Sequence, residues 1–510
     1  MSPALLLVGV TMSVAAASGV RPPAVAGAFY SADRTELKRE VKEALRAAPG
    51  QASPPRALIA PHAGYVYSGA TAAQAFAGLA GAKVRRVIVL GPSHHASFSG
   101  GALPPAATTA FHTPLGDMPV DREATEALRS FPEYQGPASA HGPEHCLEVE
   151  LPFLQVTVGN VAIVPVLVGH DTDRELANAM AFRLAPLLDE GTVVVVSSDF
   201  THHGGPYGYA PFPRDGELVS RLEGLARDTA SRAAAIDPRG FWQQVEVSSD
   251  TVCGTRPISV LLELLDHAFA GTGRVAAVTT SAGASGSTAQ VVSYAAVTFA
   301  GAWKPWRAEQ APAELTTVSD EEQGALSALA RATLETSLHH DSSLARWFAA
   351  HPVSGNVSAL AGVFVTVNNR GEKARREGRL RGCIGVMEAR EPLVDAVVHA
   401  AVSAANDPRF SPLDARELPE VALEVSVLSP MRRVPDWRSI ELGRHGVVLS
   451  KAGRRAVFLP QVATETGWDL PTFLSQLSRK AGLDGDAWRQ GATFEVFTAQ
   501  VFGEEHSPAH

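Results

Sequence analysis

Short apolar runs along this chain end in polar clusters. Residues 57–60 (ALIA) run into Pro61-His62-Ala63-Gly64, and residues 87–90 (VIVL) run into Gly91-Pro92-Ser93-His94-His95. Residues 193–196 (VVVV) run into Ser197-Ser198-Asp199-Phe200-Thr201-His202-His203. A fourth run, residues 163–168, ends more weakly at Gly169-His170-Asp171. Brief β-branched runs bounded by turn residues predict buried strands. Between them lie segments of helical period: residues 33–45, 70–79, 143–154 (carrying His145) and 257–269. Residues 290–299 read as a closing strand. Strands alternating with amphipathic helices predict an α/β unit over residues 21–300. In an open α/β sheet, ligands sit outside the carboxyl ends of the strands. Three strands would then carry histidines to one sheet edge.

Residues 301–318 mix Pro, Ala, Trp and charge and read as a linker. Ser319-Asp320-Glu321-Glu322 is a capping-box pattern that opens a new helix. Over residues 319–502, strand-like runs at 362–367, 421–428, 446–449 and 456–459 alternate with helices at 393–405 and 472–481. This predicts a second α+β unit. Residues 503–510 read as a disordered tail. Residues 1–20 read as a tail that is either a weak signal-like segment or a start placed too early; they lack a positive n-region.

A chain of 510 residues exceeds one core. The net charge of -9 gives no nucleic-acid footprint, and no segment is apolar enough to predict a membrane span. The basic run Lys373, Arg375, Arg376, Arg379, Arg381 is expected in a solvated loop. Three cysteines, Cys146, Cys253 and Cys383, make no disulfide framework and fit a reducing, cytoplasmic setting.

The candidate chemistry is a metal centre of His62, His94 and Cys253. Imidazole with thiolate suits iron(II), copper(I) or zinc. Cys253 precedes an apolar helix, whose N-terminus favours an anion. His145, Asp199 and His202 form a second layer as acid/base groups or hydrogen-bond orienters. Taken singly, each histidine is more often a satisfied structural residue than a ligand, and Cys146 reads as core filler. In the second unit Cys383 is either a nucleophile with Arg381 binding an anion, or a packed cysteine with Arg381 paired to Asp407 or Glu424.

Residues 21–300 resemble the Memo family through "RPPAVAGAFY", "APHAGYVYSG", "LGPSHH", "EHCLEVELPFLQ", "VVSSDFTHHG" and "DTVCGTRPISVLL". The resemblance implies a fold similar to LigB-type class III extradiol dioxygenases. It implies iron or copper on His62, His94 and Cys253, with His202 and His145 beside them. Residues 320–502 resemble the AMMECR-type domain through "GVFVTV", "LRGCIG", "AANDPRFSPL", "EVSVLSP", "HGVVL" and the segment from "FLPQVATETGWD" to "FLSQLSRKAGL". Together the two families imply a separate radical S-adenosylmethionine partner, since the chain has no Cys-x3-Cys-x2-Cys run. They also imply an unknown small molecule or peptide as ligand. Three readings stay open: a redox or dioxygenase-like enzyme, a metal-handling protein, and a protein-binding scaffold.

Overall fold

The computed structural model describes residues 19–49, 53–307, 317–351, 353, 355–387 and 391–504. Most of the expected tails at 1–20 and 503–510, and residues 308–316 of the expected linker at 301–318, lie outside the described residues; residues 301–303 are not linker but the end of the strand Val291–Trp303. The chain divides into two compact units: Met1–Trp242 with Thr251–Ala308, and Gln243–Asp250 with Glu309–His510. The segment 243–250 groups with the second unit, a division that a boundary near residue 300 does not capture. Among the described residues, no helix is long and apolar enough to cross a membrane.

The first unit is built on an eight-stranded sheet: β1 (Ala57–Ala60), β2 (Arg86–Pro92), β3 (Gly101–Ala102), β4 (Ala162–Val168), β5 (Thr192–Ser197), β6 (His202–His203), β7 (Phe269–Thr280) and β8 (Val291–Trp303). Its order is β7-β8-β1-β5-β2-β4-β3, with β6 on β8. The centre is parallel: β1 and β2 flank β5, and β4 lies outside β2. β7, β8 and β3 add antiparallel edges. The parallel strands are continuous hydrophobic runs because both faces are covered, and Leu58, Val89, Val166 and Val195 are fully buried.

Helices α1 (Arg34–Ala47), α2 (Tyr65–Phe76), α3 (Cys146–Thr157) and α4 (Thr255–Ala268) position the site. α1 is capped by Asp33, whose carboxylate accepts from the amides of Thr35 and Glu36. α2 starts earlier than the small-residue pattern at 70–79 predicts, directly after His62-Ala63-Gly64. α3 starts later than predicted, at Cys146, so His145 is its N-cap residue. Strand β7 went unpredicted: it carries Gly271, Gly273, Arg274 and alternating small residues, and its propensity is set by pairing with β8 along its full length.

The second unit holds two four-stranded sheets. The first joins β9 (Gly362–Asn369), β10 (Leu380–Val386), β11 (Val421–Leu428) and β16 (Ala499–Gly503) in the order β10-β9-β11-β16. The second joins β12 (Arg432–Val434), β13 (Gly446–Lys451), β14 (Arg454–Phe458) and β15 (Thr493–Phe497) in the order β12-β15-β13-β14. Helices α5 (Asp320–His339) and α7 (Leu393–Ala405) cover the first sheet, and α8 (Leu470–Lys480) packs near β14. The capping box on α5 is present as predicted, with Ser319 and Glu322 serving each other's backbone. The basic run does not lie in a loop: Lys373, Arg375 and Arg376 sit on a short helix, α6 (Gly371–Glu377), and Lys373 is buried. It ion-pairs with Glu417, whose carboxylate lets the ammonium leave water.

Candidate metal centre

The parallel register brings the polar clusters level. Ala60 pairs with Ser197 across β1 and β5, so His62 and Asp199 each follow their strand end by two residues. His94 follows the end of β2 by the same distance. The backbone amides of His62 and Ala63 donate to Asp199 Oδ1 at 2.9 and 3.3 Å. Asp199 is therefore a clamp across two strand ends. Burial pushes its carboxyl up, against the opposing pull of His202 and these amides.

His62 is 2% exposed. Burial, then the neighbouring His94 and His145, hold its imidazole well below the usual histidine range, so the ring is neutral. Its Nδ1 lies 2.8 Å from Ser197 Oγ. That oxygen also lies 2.8 Å from both the Cys146 carbonyl and Glu150 Oε1. Serine donates once, and a carbonyl only accepts. All three contacts are satisfied when Ser197 donates to Cys146 and receives protons from His62 Nδ1 and a neutral Glu150. Burial, opposed by Ser197, pushes the Glu150 carboxyl well above the usual range, in keeping with that assignment. His62 Nε2 is left with its lone pair, and it lies 3.4 Å from Cys253 Sγ.

Cys253 sits one residue before Gly254, the N-cap of α4. Its sulfur receives the Asp199 amide at 3.2 Å. Burial and then Asp199 push the thiol up, so it stays protonated unless a cation compensates.

His94 and His145 share one carboxylate. Glu144 Oε1 lies 2.9 Å from His94 Nδ1 and 3.2 Å from His145 Nδ1. Its oxygens also accept the backbone amides of His94 at 2.8 Å and His145 at 3.0 Å. Burial opposes the Glu144 charge, but hydrogen bonds from His145 and His94 hold the carboxyl far below its ordinary range. Gly91 allows this meeting of β2 and α3: a Cβ there would stand 2.5 Å from Cys146 Sγ. One ring nitrogen each of His62, His94 and His145 falls within 4.8 Å of the others. The ring centroids are 5.2 Å apart for His62 and His94, 5.4 Å for His62 and His145, and 4.7 Å for His94 and His145.

His202 stands at the rim. Its Nδ1 donates to the Thr251 carbonyl at 3.0 Å, and its ring packs on Tyr207. Cys146 is buried as core filler, with its thiol on the Pro92 carbonyl. Sequence reasoning missed Glu144, Ser197 and Glu150 as parts of this network. The signal was present: Glu148 and Glu150 interrupt the apolar run of α3, Glu144 lies just before its N-cap, and buried carboxylates require partners. Glu148 meets that need elsewhere, ion-pairing with Arg21 at 2.7 Å.

In the second unit Cys383 lies mid-strand on β10. Its amide donates to Asp407 at 2.9 Å, its carbonyl accepts from Arg409 at 3.1 Å, and Thr366 donates to its sulfur at 3.3 Å. Arg381 does not pair with Asp407 or Glu424. It pairs with Glu417 at 3.0 Å, because Arg409 already occupies Asp407. The glycine before Cys383 serves close packing: a Cβ on Gly382 would meet the Ala404 carbonyl at 2.1 Å.

These features agree with comparisons to known proteins. The Memo-like protein family model matches residues 21–298, and the AMMECR1 model matches residues 327–502. The chain belongs to the Memo family. It is 34% identical over 294 residues to a MEMO1 family protein of Methanopyrus kandleri, covering 55% of this chain and 98% of that one. It is 32% identical over 250 residues to the memo-1 homolog of Caenorhabditis elegans, covering 48% and 70% respectively. A second Methanopyrus kandleri protein is 43% identical over 163 residues, 30% of this chain and 76% of its own. This Memo chain thus carries an AMMECR1 domain on the same polypeptide.

Proposed function

We propose that the first unit binds iron(II) or copper through His62, His94 and Cys253, and uses the bound ion in redox or dioxygenase-like chemistry. The observation that carries this reading is the pairing of a half-buried thiol with a neutral imidazole, Cys253 Sγ to His62 Nε2, at 3.4 Å. Ligands bind metals when deprotonated. The network already holds His62 neutral with Nδ1 tied off. The Cys253 thiol, pushed up by burial, gains from a cation what it lacks alone. Three protein donors leave room for a small exogenous ligand, as in catalytic sites. Bound iron or copper would supply a one-electron couple. His202 is the proposed proton acceptor, and Asp199 keeps the His62 loop in register. The second unit is proposed to contribute to binding a small molecule or peptide, in concert with a separate radical S-adenosylmethionine protein.

Anaerobic purification with elemental analysis of wild type beside Cys253→Ser tests the ligand set. Metal near one equivalent in wild type and sharply less in the variant is expected; equal metal removes Cys253. A metal-handling role is favoured by the thiol–imidazole donor pair. His202→Ala separates the two: an enzyme loses metal-dependent dioxygen consumption while keeping its metal, whereas a metal carrier is unaffected.

A further inference from the structure

We propose that His145 is a fourth donor to the same ion, and that Glu144 is the positioning residue that turns His94 and His145 inward together. This rests on the metal-binding reading above and extends it from three protein donors to four.

The argument is one of hydrogen-bond accounting. Each neutral imidazole has one N–H and one lone pair. Glu144 Oε1 faces the Nδ1 atoms of both His94 and His145, at 2.9 and 3.2 Å. A carboxylate only accepts, so both rings present N–H at Nδ1 and a lone pair at Nε2. Ser197 imposes the same tautomer on His62. The three Nε2 lone pairs are therefore the ones left to the cluster, and Cys253 Sγ stands beside His62. A carboxylate behind a histidine is the usual device for orienting and strengthening a metal ligand. Here one carboxylate serves two rings, and it also accepts the backbone amides of His94, His145 and Cys146.

The position of His145 supports a donor role over mere packing. As the N-cap residue of α3 it makes no side-chain cap to the helix. Phe29 packs on the ring at 4.9 Å between centroids and walls it in, while His62 and His94 occupy its other contacts. Nitrogens bound about 2.0–2.1 Å from one tetrahedral ion stand roughly 3.4 Å apart. One nitrogen of each ring already lies within 4.8 Å of the others.

X-ray absorption on the full-length protein loaded anaerobically with copper(I) alone tests the proposal. Three imidazole nitrogens and one sulfur are expected in wild type, and two nitrogens and one sulfur in His145→Gln. Glu144→Gln is expected to keep the fold, by circular dichroism, and to weaken copper(I) binding ~10–100-fold. Two nitrogens and one sulfur in wild type, unchanged in His145→Gln, overturns the fourth donor while leaving the metal reading intact. Should His145→Gln fail to fold, the wild-type nitrogen count decides alone. Failure of wild type to retain copper(I) defeats both readings.

Discussion

Two cysteines in this molecule look alike in sequence and differ in what surrounds them. Cys253 is followed by Gly254, and Cys383 is preceded by Gly382, with a second glycine two positions on. In both units burial pushes the thiol up. Around Cys253 the neighbours are imidazoles and carboxylates delivered by separate strand ends and helix starts. Around Cys383 they are Thr366, which donates to the sulfur, and Asp407 and Arg409, bound to each other and to the Cys383 backbone. Every cluster of metal-ligating side chains among the described residues lies in the first unit. A cysteine beside glycine is therefore no guide to chemistry. What distinguishes a site is whether the partners of the sulfur keep a lone pair unspent.

The strongest way to break this contrast is to delete a donor on each side. His62→Ala is expected to lower metal affinity by more than ~100-fold, beyond the ~10–100-fold typical of supporting residues. Cys383→Ala is expected to leave affinity unchanged. Isothermal titration with each variant reads the difference, and an equal loss from Cys383→Ala would erase the distinction between the units.

Arg381 sharpens the second half. The residue is 7% exposed, and its guanidinium is bonded to Glu417, with two further contacts to the backbone at Ser411 and Pro412. Removing it leaves Glu417 with Lys373 and the Asp414 amide. Arg381→Met should destabilise the protein by about 2–3 kcal/mol, below the ~3–5 kcal/mol of a fully buried pair. Urea unfolding checks it. A near-neutral result would mean that Arg381 is spared for a ligand rather than spent on the fold.

Ser197→Ala tests the tautomer of His62. Without the Oγ atom, Nδ1 has no fixed partner and the ring is free to turn. A loss of ~10-fold in metal affinity is expected, at the low end for an orienting residue. An unchanged affinity would show that Asp199, through the loop backbone, suffices to place the ring.

Much of this was legible in the chain. The parallel strands announced themselves because both faces are buried, so their apolar runs are unbroken. His62, His94 and Asp199 were legible because each closes such a run, and register alone makes them neighbours. Strand β7 was not, because small residues and glycines gain strand character only from the partner β8. The pairing of Glu144 with two histidines was hidden for a different reason. His94 and Glu144 lie fifty residues apart in sequence, and nothing in the spacing says that α3 packs on β2. The partner of Arg381 was misjudged because Asp407 is claimed by Arg409, two positions along the same loop, a local competition that the distant Glu417 does not face.

A pH slope tests the least conventional group. Glu150 is fully buried, its Oε2 has no hydrogen-bond partner among the described residues, and its neutral form alone satisfies Ser197. Its carboxyl is raised in the folded protein from an ordinary value of 4.5. The sign follows from proton counting. Above pH 4.5 the unfolded chain releases a proton that the folded protein keeps, so stability falls as pH rises toward the folded value. Glutamine carries no such proton. At pH 4 Glu150→Gln should lie within about 1 kcal/mol of wild type, since its amide can donate to Ser197 as the acid does. Between pH 5 and 8 the variant should gain on wild type by up to ~1.4 kcal/mol per pH unit, the limit for one proton. Thermal denaturation of both proteins across that range reads the slope. A flat difference would mean that Glu150 is ionised in the fold, and that Ser197 donates to it rather than to the Cys146 carbonyl. The Nδ1 proton of His62 would then be held against a charged relay, and the donor strength of its Nε2 would rise accordingly.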